Sequence, residues 1–72
     1  MAEQSHSALT IIRRKQVEAR TGLSRSTIYL RVSEGTFPKP VSLGARAVGW
    51  IESEISGWLA VRIEASRKAG SQ

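Results

Sequence analysis

Apolar residues recur along the chain with different spacings in different stretches. Ile51, Ile55, Trp58, Leu59 and Ile63 fall at i, i+4, i+7, i+8 and i+12, one stripe along a helix. Glu52 and Glu54 in its first turn and Arg67 and Lys68 near its end suit the helix dipole. Upstream, Val41 and Leu43 alternate with Ser42, and Val48 and Trp50 flank Gly49. The Gly44–Arg46 turn between these segments predicts a β-hairpin. Pro38 and Pro40 remove two backbone donors and exclude a helix just before it.

The preceding stretch, "TGLSRSTIYLRVSEGTFPKP", reads as a helix framed by its own stop signals. Ser24 is a good N-cap, Ile28 and Val32 face the same way, and Gly35 ends the helix. A helix over 25–34 follows. Another runs from Lys15 to Thr21 and stops at Gly22; with seven residues it depends on tertiary support. Two helices joined by a short Gly-containing turn are a helix-turn-helix. "LTIIRR" before them is a short strand or an extended lead-in. The expected organisation is a polar flexible tail over 1–8, a folded domain over 9–66 and a tail over 67–72. The fold class is mainly α with a small β-hairpin: three helices plus a wing, a winged helix-turn-helix.

Charge adds a partner to this outline. Among 72 residues there are 11 Lys and Arg and six acids, all Glu, for a net charge of +5. Arg13, Arg14, Lys15, Arg20, Arg25, Arg31, Lys39 and Arg46 crowd the helix-turn-helix and hairpin, where only Glu18 and Glu34 oppose them. From Ile51 onward three bases balance three acids. A basic half of this kind points to a polyanion. Enzyme chemistry lacks its parts: there is no Cys or Asp, and the single histidine, His6, lies in the polar N-terminal stretch. Glu52 and Glu54 point in different directions on a helix and do not form an acid–base pair. We therefore expect no enzyme activity, no cofactor, no metal and no small-molecule substrate. No apolar run approaches the roughly 20 residues that span a bilayer, and "MAEQSHSALT" has no signal-peptide core. The expectation is a cytoplasmic protein, nucleoid-associated when bound, without a membrane partner.

"GLSRSTIY", "GTFPKP", "GARAVGW" and the "ESEI..WL" helix, in series, resemble the AlpA-like prophage regulators. The fold of that family is related to phage excisionases and to the MerR-type DNA-binding domain. The resemblance covers about residues 11–63. It implies a DNA-binding regulator of a prophage or mobile element that acts on integrase expression or on excision. The sequence departs from the family where a basic and then an apolar residue commonly follow "IY": here Leu30 precedes Arg31. Leu30 lies about 200° around the helix from Ile28. It is partly exposed or meets a thymine methyl, and Arg31 then reaches the DNA backbone rather than a base.

Double-stranded DNA is the expected partner, with the second helix in the major groove. Arg25 at that helix's start suits a bidentate contact to guanine. Ser26 and Thr27 are phosphate or base donors, or ordinary first-turn polar residues. Ser24 is a cap whose amide end can hold a phosphate. Tyr29 offers its hydroxyl to a phosphate or packs its ring on the neighbouring helix. Lys39 and Arg46 flank and tip the hairpin, placed for the backbone or the minor groove. Arg13, Arg14 and Lys15 start the first helix against the dipole, which suits a nearby phosphate or a solvated charge run. Trp50 and Trp58 belong to the core. A module of this size buries roughly 600–1,000 Å² on DNA, which suits repeated sites or self-association of neighbouring copies. The alternative is a small basic protein-interaction module, an antirepressor or adaptor. RNA binding is disfavoured by the lack of aromatics arrayed on a sheet.

Overall fold

The computed structural model describes residues 9–69 of the chain. The element order is β1 (Ile11–Ile12), α1 (Arg14–Thr21), α2 (Arg25–Glu34), β2 (Val41–Gly44), β3 (Ala47–Ile51) and α3 (Glu52–Ala69). Three helices and an antiparallel hairpin form the winged helix-turn-helix.

The helix-turn-helix is framed by its caps. Gly22 and Gly35 end α1 and α2 with φ of 75° and 80°, a left-handed conformation that glycine adopts without steric cost. The Gly22 N–H donates to Glu18 O at 2.8 Å, and the Thr36 N–H donates to Arg31 O at 2.9 Å. Ser24 starts α2 as its side chain accepts from the Thr27 N–H at 3.2 Å. The start of α1 differs. Gln16 Oε1 accepts from the Arg13 N–H at 2.9 Å, but Arg13, the N-cap residue, has no acceptor atom for the free amides of the first turn.

The hairpin is wider than expected. β1 pairs with β3, Ile12 opposite Trp50, so the sheet has three strands in the order β1-β3-β2. Gly49 lies where the sheet is tightest. A Cβ there would sit 2.5 Å from Ile11 Cγ2 and 3.1 Å from Ile12 O, so only glycine fits.

Ile12, Val17, Ile28, Phe37, Trp50 and Ile55 form the buried core, one contribution from nearly every element. Both indoles hold the Phe-Pro segment. Trp50 Nε1 donates to Pro38 O at 2.9 Å and Trp58 Nε1 to Thr36 O at 2.8 Å. Trp50 is fully buried. Trp58 is half-buried, its ring edge-on to Phe37 at 4.7 Å between centroids.

The expected stripe on the last helix needs correcting at both ends. Ile51 ends β3 and precedes the helix. Ile63 is 48% exposed. Only Ile55, Trp58 and Leu59 pack on the core. Core residues face the first two turns of α3, while its 18 residues extend about 27 Å. α3 also stays helical through Arg67 and Lys68, so the segment expected as a tail over 67–72 begins in helix. Residues 70–72 and the expected tail over 1–8 lie outside the described residues. Among the described residues no helix is long and apolar enough to cross a membrane.

Candidate nucleic-acid interface

Three elements converge on one basic notch of about 370 Å³, lined by Arg13, Arg14, Lys15, Tyr29, Arg46 and Val48. The sheet sets its geometry. In the β1–β3 register, Val48 lies two residues from the Ile12–Trp50 pair, beyond the end of β1. The chain turns into α1 there and cannot continue the ladder. The Arg13 side chain takes over, its Nε donating to Val48 O at 3.0 Å. The guanidinium is thereby fixed between helix and wing. The first turn of α1 contains no acid, so its free amides and Lys15 make the floor electropositive, while the Arg14 charge is met by Glu18.

Arg46 at the tip of the hairpin has φ of 63°, the one left-handed non-glycine among the described residues. This conformation is disfavoured for arginine by about 1–2 kcal/mol. Strain of this kind concentrates at functional sites. Arg46 lines the notch in this conformation.

Tyr29 forms the third wall. Its ring meets Trp50 of β3 at 6.2 Å, tilted by 58°. Arg25 lies over the other part of the ring at 6.0 Å. A line of aromatic contact therefore runs from the core through Tyr29 to Arg25, which limits the positions the arginine can take.

Side chains of α2 fan out at about 100° per residue. Ile28 and Val32 face the core. Arg25 and Tyr29 lie on the flank that adjoins the notch. Ser26, Leu30 and Ser33 face outward, all exposed. Thr27 and Arg31 lie on the far flank, half-buried.

The nine expected contact residues thus separate into groups. Lys15, Arg25, Tyr29 and Arg46 share one surface, and Ser26 borders it. Ser24 and Thr27 are engaged with each other: the Ser24 hydroxyl donates to Thr27 Oγ1 at 3.0 Å besides capping its amide. Arg31 points away, and its Nε is buried without a partner. Lys39 lines a different groove, with Pro38, Pro40, Glu54 and Trp58.

Sequence reasoning grouped Arg13 with Arg14 and Lys15 beside a phosphate or as a solvated charge run, but could not foresee its anchor on Val48 O, which follows from where β1 stops. It also counted cations that are internally engaged. Arg14 pairs with Glu18. Arg20 donates to Glu52 Oε2 at 3.0 Å and to Ser56 Oγ at 2.9 Å, joining α1 to α3.

Comparison with known proteins shows the family of the chain. Residues 10–63 match the family model described as the prophage CP4-57 regulatory protein (AlpA). The chain is 42% identical over 64 residues to the DNA-binding transcriptional activator AlpA of Escherichia coli K12, covering 81% of this chain and 91% of that protein. It is 55% identical over 49 residues to the uncharacterized ORF88 protein of Enterobacteria phage P4, covering 68% of this chain and 54% of that protein. The chain thus spans about half the length of the phage P4 protein and nearly all of the Escherichia coli one. With a family match that extends from the lead-in of β1 to the exposed part of α3, the chain belongs to the AlpA family of prophage regulatory proteins.

Proposed function

We propose that the chain is a sequence-specific double-stranded DNA-binding transcriptional regulator of a prophage or mobile element. The observation that carries the proposal is the convergence of Arg13 and Lys15 with Arg46, from two points in the chain about 30 residues apart, on one notch beside the outward face of α2. A solvated charge run would not bring residues so distant in sequence together. The name of the Escherichia coli relative, a DNA-binding transcriptional activator, supports the same reading.

In this arrangement α2 enters the major groove with Arg25 at its leading end, against guanine N7 and O6. Ser26 contacts the groove edge or a phosphate. Arg13, Lys15 and the Tyr29 hydroxyl hold a backbone phosphate in the notch. Arg46 follows the strand to the next phosphate or the minor groove. Lys39 and Arg31 contribute long-range attraction only. The regulated event is integrase expression or excision, in the cytoplasm, on repeated sites that bring neighbouring copies together. Two copies supply the contact area that one module lacks.

Selection of bound duplexes from a random-sequence pool tests the proposal directly. An enriched sequence supports it, and direct repeats within that sequence support neighbouring copies. Neutralising two phosphates, one in the notch and one at Arg46, gives a log–log salt slope of about −1.8. A pool that returns unenriched, with a flat salt response, overturns it in favour of the protein-interaction reading.

A further inference from the structure

Leu30 is 57% exposed, on a short helix whose other outward residues are polar. Single exposed leucines are common on protein surfaces and need no explanation. This one differs in its position. At about 100° per residue it lies on the outward face of α2, with Ser26 and Ser33 on its notch side and Glu34 on the other. Ser26 and Ser33 are small and the i+4 neighbour is Glu34, so the leucine is the one apolar group on that face. The Ser33 hydroxyl donates back to Leu30 O at 2.7 Å, which draws it along the helix and away from the surface. Arg25 and Tyr29 flank that face on the notch side. Glu34 follows at the helix end, which confines close approach of an anion to the first two turns.

An exposed leucine on the face of α2 that enters a DNA groove meets few apolar partners. A flat acidic protein surface would leave the leucine against charge. The major groove offers polar edges and phosphates almost throughout, with one apolar group, the C5-methyl of thymine. We propose that Leu30 reads a thymine methyl and is the specificity-determining apolar contact of the recognition helix. The proposal rests on α2 entering the major groove, as set out above. It assigns a base preference to a residue that contributes nothing to the core. It also gives a role to the order Leu30-Arg31, which places the apolar group outward and the guanidinium on the far flank.

The test replaces thymines of the selected duplex one at a time by deoxyuridine. This substitution removes the methyl and leaves pairing and O4 intact. Burying one methyl group contributes about 0.8 kcal/mol, or about fourfold in affinity. At one thymine per bound copy, deoxyuridine should weaken wild-type binding by about fourfold and leave binding of Leu30→Ala unchanged. Leu30→Met, which keeps apolar bulk, should retain the discrimination. Leu30 is exposed and alanine is a good helix former, so circular dichroism of Leu30→Ala should match wild type. Three results overturn the inference: a wild type indifferent to every deoxyuridine, a methyl effect that persists in Leu30→Ala, or a selected site without thymine. Each is distinct from a failure of DNA reading itself, where the pool yields no enriched duplex to substitute.

Discussion

Replacing Arg46 by glycine should stabilise the fold and weaken DNA binding, two effects that ordinary surface substitutions do not combine. At φ of 63° the arginine carries about 1–2 kcal/mol of left-handed backbone cost. Glycine removes that cost but gives the unfolded chain more freedom, worth about 0.4–1 kcal/mol in the opposite sense. The net gain is about 0.5–1 kcal/mol, which raises Tm by about 3–5 °C in a domain of this size. Arg46→Ala is the matching control, since alanine keeps the backbone cost and removes the charge. Both variants lose one phosphate contact, so both should lower the salt slope by about 0.9 without altering base preference. Thermal melts by circular dichroism report the first effect. Fluorescence-anisotropy titrations of a labelled duplex over a series of salt concentrations report the second. If Arg46→Gly melts below Arg46→Ala, the turn is not strained as described. If either variant keeps the wild-type salt slope, the wing does not touch DNA.

Other substitutions separate reading, holding and charge. Arg25→Ala should cost about 1–3 kcal/mol on the selected duplex and relax preference at one base position; uniform weakening on all duplexes would make Arg25 a phosphate contact instead. Arg20→Ala should leave the salt slope at the wild-type value, because its guanidinium is engaged with Glu52 and Ser56 on α3. Both partners of this pair are more than a third exposed, so the loss of stability should stay within about 0–1 kcal/mol. A slope that drops with Arg20→Ala would extend the DNA-binding surface to the α1–α3 side.

Local signals made much of the fold legible in the sequence. The bounds of α2 follow from Ser24 and Gly35, which act within one turn of their own positions. The hairpin follows from alternation and a turn residue. Trp50 is identifiable as core because it sits in that alternation. What the sequence concealed depends on contacts across long separations. Nothing in "TIIRR" indicates that Ile11 and Ile12 pair with Ile51 and Trp50. The spacing that joined Ile51 and Ile63 in one helical stripe misleads at both ends, because Ile51 pairs with Ile11 in the sheet and the core is too short to cover Ile63. The same distinction divides the site. Arg25 was identifiable from its place at the start of a helix. Arg13 depends on the end of a strand ladder, and Arg20 on a carboxylate 32 positions away.

The notch therefore exists only when helix, sheet and wing are assembled, and this couples DNA binding to folding. A ligand that binds the folded chain alone stabilises it by RT ln(1 + [L]/Kd), about 2.7 kcal/mol at a hundredfold excess over Kd. Gly49→Ala should provide the complementary loss. Its Cβ would meet Ile11 Cγ2 at 2.5 Å and the Ile12 carbonyl at 3.1 Å, an overpacking that costs about 1–3 kcal/mol. The strand it disturbs is the one whose Val48 carbonyl anchors Arg13. Free Gly49→Ala should melt well below wild type. With saturating cognate duplex it should recover to about the Tm of free wild type, because the two magnitudes nearly cancel. The rescue should weaken at high salt, since the phosphate contacts that drive it weaken with counterion concentration. Equal rescue by a scrambled duplex would mean that phosphate charge alone supports the fold. If no duplex rescues it at any salt concentration, the notch and the DNA-binding surface are separate.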